Sequence, residues 1–236
     1  MYADAVARIA ESIFPVFFVL EHSDRVHSGV CGTGFFVDDR GLFVTADHII
    51  TSAPVGSTLY YYGKVPDEIC ERAVEIEHVA RDSIRDLYLG RVDRDYLQPV
   101  ELSREAVRPG DSICLSGYPM ALVAPNPRGG VIANIRRYWQ PSFVIDVSEV
   151  VIENRLYDGF IVQHTCLRGM SGGPVFDIQG NVRGMAVATL TRKIPERDDD
   201  PTIVRNGIVI DGEHIRRFIE AAGRNRNGAP ALHRSR

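Results

Sequence analysis

One serine, Ser171, lies among glycines in the stretch RGMSGGPV at residues 168–175. Glycine adopts positive φ angles at little steric cost, so the backbone around this hydroxyl can turn tightly. In such a turn the amide N–H groups of Gly169 and Ser171 can point to one spot beside the serine Oγ, where they would hold a developing oxyanion. The stretch therefore predicts a nucleophilic serine, provided that the chain also supplies a base.

A serine hydroxyl is a weak nucleophile near neutral pH and needs an adjacent base, usually a histidine that a third group orients. Of the seven histidines, His48 follows the apolar letters GLFVTAD, which places it at the end of a buried strand. A base can be held rigidly there. Asp86 opens the alternating stretch DLYLGRV. The sequence thus predicts a triad in the chain order His48, Asp86, Ser171.

Two other acids compete with Asp86 for the orienting role. Asp47 is adjacent to His48 in sequence, but neighbouring side chains on an extended backbone point to opposite sides, so it is left out of the predicted triad. Asp82 is the alternative if the strand begins earlier than expected. Each residue alone has an ordinary structural interpretation, and it is their joint occurrence in this order that predicts catalysis.

The three segments resemble the signatures of trypsin-like serine peptidases of the chymotrypsin fold: TAxH at His48, DLxL at Asp86 and GxSGGP around Ser171. Within that superfamily the chain is similar to bacterial high-temperature-requirement-type protease domains. Their Gly-Ser-Gly-Phe segment resembles GTGFFV before the histidine strand, and their Gly-Asn-Pro resembles GYP at residues 117–119. The resemblance spans residues 10–222. Because the chain ends where PDZ modules begin in many such proteins, no PDZ module is expected.

Short strand patterns separated by turn signals, with almost no helix between them, favour barrels over a doubly wound sheet. The resemblance implies the same all-β fold: two antiparallel β-barrels, an active site in the cleft between them and a C-terminal helix. Asp211 is expected to cap that helix and Gly223 to end it. The expected domains are residues 1–104, with an N-terminal helix and the first barrel; residues 105–223, with the second barrel and the C-terminal helix; and residues 224–236, a disordered tail.

The resemblance also implies the chemistry, which is hydrolysis of peptide bonds through an acyl-enzyme. Ser171 attacks the carbonyl, His48 takes its proton and returns it to the leaving amine, and Asp86 holds the imidazole tautomer. A polypeptide substrate is expected to lie extended against residues 185–189 as an added strand. The small side chains there predict an uncharged, small to medium aliphatic residue before the scissile bond. The expected substrate-binding residues are Thr165, Ala186, Val187 and Ala188.

Composition and charge argue against several other classes of protein. A net charge of −4 argues against general nucleic-acid binding through a basic surface. The apolar run at residues 13–20 contains a proline and is too short to span a bilayer, and it lacks the basic flank of a signal peptide. The four cysteines show no C-x-x-C spacing, so neither a structural zinc nor any other metal or cofactor is predicted. No membrane partner is expected, while an unidentified regulatory protein is allowed.

The cysteines also suggest a compartment. In secreted trypsin-like enzymes a disulfide reaches the residue directly after the catalytic histidine, and here that residue is Ile49. Four unpaired thiols fit a reducing environment, so we expect a cytoplasmic protein.

Met170 stands where secreted relatives carry the aspartate that pairs with a newly cut N-terminus. Activation by propeptide cleavage is therefore not expected, and any control is expected to act through loop rearrangement.

Two alternative hypotheses remain beside the peptidase. The letters GMSGG also fit Gly-x-Ser-x-Gly, the nucleophile elbow of α/β-hydrolases, but that fold requires a helix after the serine and a downstream aspartate and histidine. The letters PVFD that follow are typical of a strand, which disfavours this interpretation. The second hypothesis is a catalytically silent or partner-activated module on the same scaffold, acting in binding or signalling.

Overall fold

The chain forms two antiparallel β units followed by a helix. The computed structural model describes residues 1–22, 25–51, 53, 55–56, 58–62, 73–93, 98–120, 136–152, 154–194 and 202–227. Every strand pairing among these residues is antiparallel, apart from one isolated parallel bridge between Leu102 and Val182.

The first unit is a seven-stranded sheet preceded by a short helix. Its strands are ordered β5-β4-β1-β2-β3-β7-β6. The elements are α1 Ala3–Ile9, a 3₁₀ turn Ala10–Ser12, β1 Ile13–His22, β2 Arg25–Phe36, β3 Leu42–Ala46, α2 Asp47–Thr51, β4 Thr58–Tyr62, β5 Ala73–Glu75, β6 Glu77–Asp82 and β7 Leu87–Arg91.

The second unit closes into a six-stranded barrel, in the order β10-β13-β12-β11-β8-β9. Its elements are β8 Ser112–Gly117, β9 Tyr138–Ile152, β10 Arg155–Val162, β11 Pro174–Phe176, β12 Val182–Ile194 and β13 Thr202–Asp211, followed by the helix α3 Gly212–Asn227. The predicted all-β class, with two antiparallel units and a C-terminal helix, is confirmed. Hydrogen bonds between strands close the second unit into a barrel, while the described strands of the first unit form a sheet.

Apolar packing holds the two units together. One core lies inside the second barrel. The larger core contains phenylalanines of the first unit, among them Phe14 and Phe36, whose ring centroids are 4.5 Å apart. The same core continues through Phe176 and Ile210 of the second unit to Ile215 of α3. Burial of apolar surface therefore fixes the position of one unit against the other.

The C-terminal helix begins as expected and ends later than expected. The Asp211 carboxylate accepts the N–H of Glu213 at 2.7 Å, which is the predicted cap. The prediction that Gly223 ends the helix is wrong, because α3 continues to Asn227 and Gly223 is not among the glycines with positive φ. Residues 228–236 of the predicted tail lie outside the described residues. No described helix is long and apolar enough to cross a bilayer.

Candidate active site

The pairing of β3 with β7 brings His48 and Asp86 together. Ala46 lies opposite Leu87 in the antiparallel ladder, so the residues just beyond the two strand ends meet. The Nδ1 of His48 lies 2.7 Å from Oδ2 of Asp86, and the His48 backbone N–H donates to Oδ1 at 2.8 Å. An imidazole whose Nδ1–H is held by a carboxylate keeps Nε2 free to accept a proton. His48 itself lies in the first turn of the helix α2 rather than at a strand end.

The backbone of Asp86 is in a conformation that few side chains adopt. Its φ is 58°, in the left-handed region. Non-glycine residues pay a steric penalty there, and they persist in it only where the surroundings hold them. The carbonyl of Asp86 accepts the N–H of Asp47 at 3.1 Å. Together with the two bonds to His48, this contact holds both the backbone and the carboxylate of Asp86 in place.

The two competing acids are bound elsewhere. Asp47 is buried, and its Oδ2 accepts a hydrogen bond of 3.0 Å from Arg81. Asp82 accepts the backbone N–H groups of Ile84 and Arg85 and pairs with the Arg85 guanidinium at 3.2 Å. Neither carboxylate is hydrogen-bonded to the imidazole in the described structure, so Asp86 is the acid at this histidine.

Two residues that the sequence reasoning missed also contact the Asp86 carboxylate. Arg155 places Nη1 3.2 Å from Oδ1, and the Tyr157 hydroxyl lies 3.4 Å from Oδ2. Burial and the nearby carboxylate raise the pKa of Tyr157 to about 12, so its hydroxyl stays a donor. Burial works to lower the pKa of Arg155, but Asp86 and Tyr157 outweigh it and the pKa is raised. The one signal in the sequence is their spacing: two positions apart on a strand, their side chains lie on the same face of β10.

The peptide planes of the serine loop orient two amides. The carbonyl of Arg168 accepts the N–H of Met120 at 2.8 Å, and the carbonyl of Met170 accepts the amide three residues further on at 2.9 Å. In a trans peptide the C=O and the following N–H point in opposite directions. The N–H groups of Gly169 and Ser171 therefore point away from these bonds, and neither donates to another described group. They are available to an oxyanion.

Thr33 of β2 ties this loop to the first unit. Its backbone N–H donates to the Ser171 carbonyl at 2.9 Å, and its hydroxyl donates to the Gly169 carbonyl at 2.7 Å. The same hydroxyl oxygen accepts the N–H of Tyr118 at 3.0 Å. Because β2 pairs with β3, which leads to His48, these bonds hold the serine loop beside the histidine.

The Ser171 hydroxyl donates to the carbonyl of Val187 at 3.0 Å. Val187 lies at a β-bulge, where the β12–β13 register shifts between Ala186 and Ala188. The bulge leaves it outside the ladder pairs. In the described structure, Ser171 and His48 share no hydrogen bond. Catalytic hydrogen bonds are often long or misaligned in a protein without substrate. The structure thus joins His48 to Asp86 and points the Ser171 hydroxyl at a strand carbonyl.

A cleft of about 520 Å³ lies beside His48, and Ser171 is not among the residues that line it. His48 and Thr51 line it from the first unit, and Arg155, Tyr157 and residues 187–189 line it from the second. Within the described ranges, no three side chains of the metal-ligating types converge on a metal-binding geometry. The cleft is therefore lined by protein groups of both units.

The four predicted substrate-binding residues have different environments. Val187 and Ala188 line the cleft, whereas Thr165 is half-buried and lies outside this lining. Ala186 does not reach the cleft, because its side chain is fully buried in the barrel core. Met170, next to the serine, is fully buried in the same core, which gives this methionine a packing role.

The three described cysteines are unpaired. Cys31, Cys114 and Cys166 are free thiols, and burial raises the pKa of each to about 12. For Cys166, a hydrogen bond with Ser171 opposes part of that rise. Since the thiolate is the species that oxidises, such thiols react slowly even in an oxidising environment. Cys70 lies outside the described residues.

These raised pKa values predict alkaline destabilisation. An unfolded cysteine has a pKa of about 8.5. Between that pH and about 12, unfolding releases a proton from Cys114 and from Cys166. Stability is therefore retained below about pH 8.5 and falls above it, by at most about 1.4 kcal/mol per pH unit for each group. Urea unfolding at pH 7, 9 and 10.5 measures this loss. Cys114→Ala is expected to make it shallower, and equal stability at all three pH values would contradict the prediction.

Two curated relatives are named as probable periplasmic serine endoproteases. The chain is 27% identical over 167 residues to a probable periplasmic serine endoprotease, DegP-like, of Rhizobium meliloti, covering 70% of this chain and 29% of the relative. It is 27% identical over 172 residues to the protein of the same name from Bartonella henselae, covering 72% and 30%. The chain thus spans under a third of the length of these relatives.

Solved structures agree on the fold. Two structures of the HtrA-type protease AlgW with a tripeptide match with a TM-score of 0.67. Their sequences are 16% and 17% identical to this one, and each match covers 94% of this chain and 63% of the other. These structures confirm the predicted fold, and together with the curated relatives they confirm the resemblance to the high-temperature-requirement type.

The prediction of a cytoplasmic protein is wrong. Both relatives are named periplasmic, which points away from the cytoplasm. The prediction depended on the unpaired cysteines and on the first residues of the sequence. Buried thiols with raised pKa values need no reducing compartment, and the start of the sequence does not determine where the protein acts.

A family model adds a match that spans all three sequence signatures. The model of the trypsin-like peptidase domain matches residues 32–185, from the segment before His48 into β12, the second strand after Ser171. That range covers more than half of the chain and includes Asp86 and the whole serine loop. The chain therefore belongs to the trypsin-like peptidase domain family.

Proposed function

We propose that the protein is a serine endopeptidase that hydrolyses peptide bonds through an acyl-enzyme. Ser171 is the nucleophile, His48 the general base and acid, and Asp86 the group that orients the imidazole. One observation carries the proposal: the Nδ1 of His48 lies 2.7 Å from a fully buried Asp86 carboxylate. A buried carboxylate at Nδ1 fixes the tautomer in which Nε2 accepts a proton.

The steps follow from this geometry. As the Ser171 hydroxyl turns from the Val187 carbonyl toward the imidazole, His48 takes its proton and Oγ attacks the substrate carbonyl carbon. The amides of Gly169 and Ser171 stabilise the oxyanion, each contributing about 3 kcal/mol to lowering the barrier. The tetrahedral intermediate expels the amine, which receives the proton from His48. Water then attacks the acyl-enzyme through the same steps, with His48 again taking and returning the proton, and Ser171 is released.

The substrate is an extended polypeptide that pairs with β12 between the unit at residues 1–104 and the unit at 105–223. When Ser171 turns away, the Val187 carbonyl is free to accept a backbone N–H of the substrate. Val187 and Ala188 favour a small to medium aliphatic side chain. In line with the names of the relatives, the protein acts on polypeptides in the periplasm.

One observation favours a second candidate, a module that stays silent until a partner activates it. The Ser171 hydroxyl is bonded to Val187 and not to His48, as expected if the nucleophile must be turned by a partner. The orientation of the Gly169 and Ser171 amides supports the first candidate instead, because a loop in a latent state would turn these donors away.

A fluorophosphonate probe tests the proposal, because it reacts with an activated serine. We expect wild type to be labelled, and Ser171→Ala and His48→Ala to lose labelling and peptide cleavage by at least about a thousandfold. Ser148→Ala, which changes a half-buried serine whose hydroxyl donates to Asp146, is the matched control and should label like wild type. Absence of labelling in folded wild type would contradict the enzyme and favour the silent module.

A further inference from the structure

The hairpin of β9 and β10 reaches from the second unit to the turn that carries Asp86. Three contacts join them. The guanidinium of Arg155 lies 3.2 Å from Oδ1 of Asp86, and the Tyr157 hydroxyl lies 3.4 Å from Oδ2. The backbone N–H of Leu156 donates to the carbonyl of Ile84 at 2.9 Å. The hairpin therefore contacts both the Asp86 carboxylate and the turn that precedes it.

The Asp86 carboxylate requires a positive partner besides the histidine. It is fully buried, and a buried carboxylate is stable only when it is paired and hydrogen-bonded. A general base must be neutral to accept a proton, so His48 cannot neutralise Asp86 before the reaction. Among the described residues, Arg155 is the only other cation ion-paired with this carboxylate.

The Asp86 backbone also requires support. With a φ of 58° it favours relaxation out of the left-handed region. The Leu156–Ile84 hydrogen bond fixes the preceding turn from outside the first unit. The bonds from Arg155 and Tyr157 then hold the two carboxylate oxygens at the positions that His48 contacts. Through these bonds, the second unit determines how the first unit presents its catalytic acid.

We propose that Arg155, supported by Tyr157, is a positioning residue that acts through Asp86 to hold His48 ready for proton transfer. This inference rests on the proposed function of the same site. Arg155 lines the cleft beside the imidazole, with its side chain 27% exposed, so a contact with substrate is the competing explanation. The two roles differ in the kinetic constant that they change.

Kinetics of three variants separate these roles. Arg155→Met is expected to lower kcat about a hundredfold with KM changed less than about threefold, because misplacement of a catalytic group affects the chemical step. Arg155→Lys should recover part of the loss, and guanidinium ion at concentrations well below denaturing should stimulate Arg155→Met and leave wild type unchanged. Tyr157→Phe should give a smaller loss. Arg8→Met is the control, since Arg8 pairs with Glu101 at the surface and does not line the cleft.

A second measurement does not depend on activity. In wild type the His48 Nδ1 proton, held by Asp86, should give a far-downfield proton NMR resonance. Arg155→Met should broaden or shift it, while Arg155→Lys and Arg8→Met should keep it. An unchanged resonance, or a rise in KM with kcat unchanged, would overturn the positioning role. Inactive wild type would overturn the proposed function instead, and the resonance would still decide the role of Arg155.

Discussion

Replacement of Asp86 by asparagine is expected to lower kcat by about four orders of magnitude while the protein still folds. The carboxylate accepts both the Nδ1–H and the backbone N–H of His48. An asparagine oxygen can keep the backbone bond, which leaves its NH₂ group facing Nδ1. That arrangement favours the tautomer with the proton on Nε2, and this tautomer cannot take the proton of Ser171.

Peptide cleavage and the rate of fluorophosphonate labelling measure the loss, and thermal unfolding shows whether the fold is retained. Asp47→Asn is the matched control. Like Asp86→Asn, it removes a buried carboxylate that lies next to an arginine, here Arg81. Unlike Asp86, however, Asp47 is not hydrogen-bonded to the imidazole. We expect its kcat to stay within about tenfold of wild type. Comparable losses in the two variants, or less than a tenfold loss in Asp86→Asn, would contradict the role given to Asp86.

Replacement of Gly172 by alanine is expected to destabilise the protein by about 4 kcal/mol or more. A Cβ at this position would lie 2.1 Å from the Thr33 carbonyl oxygen and 2.3 Å from Oγ1 of Thr45. The φ of 83° adds backbone strain for any residue with a side chain. The clash cannot be relieved by a side-chain rotation of Thr33, since the contacted atom belongs to the backbone of β2.

Thermal unfolding checks this expectation. For a chain of this size, a loss of about 4 kcal/mol corresponds to a fall in Tm of about 8–16 °C. Gly223→Ala is the control, because a Cβ added to that glycine in α3 would meet no atom within 4 Å. It should be neutral or stabilising by about 0.5–1 kcal/mol. A Gly172→Ala protein that melts within about 2 °C of wild type would show that the serine loop packs less tightly against the first unit than these distances imply.

Local chemistry made the nucleophile loop readable from the sequence. Only glycines fit a turn with positive φ on both sides of a serine, and Gly169 and Gly172 have φ values of 93° and 83°. The strand before His48 was equally legible because five consecutive residues, Leu42–Ala46, are apolar or small. The sequence did not reveal that His48 lies in a helix, since the letters ADHII fit a strand end and a short helix alike.

Contacts made across the fold could not be read in the same way. Arg155 and Tyr157 come from a hairpin about seventy positions after Asp86, and their approach depends on how the two units pack. The bulge at Val187 has no glycine or proline to mark it, so the burial of Ala186 was not foreseen. Motifs predicted the candidate triad, while its supporting residues depend on topology.

Thr33 joins two parts of the polypeptide that are made at different times. It lies 136 positions before Gly169, whose carbonyl it binds. Under the proposed function, a nascent or partly unfolded chain cannot keep its oxyanion donors in place, because one anchor of the loop is missing. Proteolytic activity then appears only after the whole chain has folded, so folding intermediates do not cleave one another.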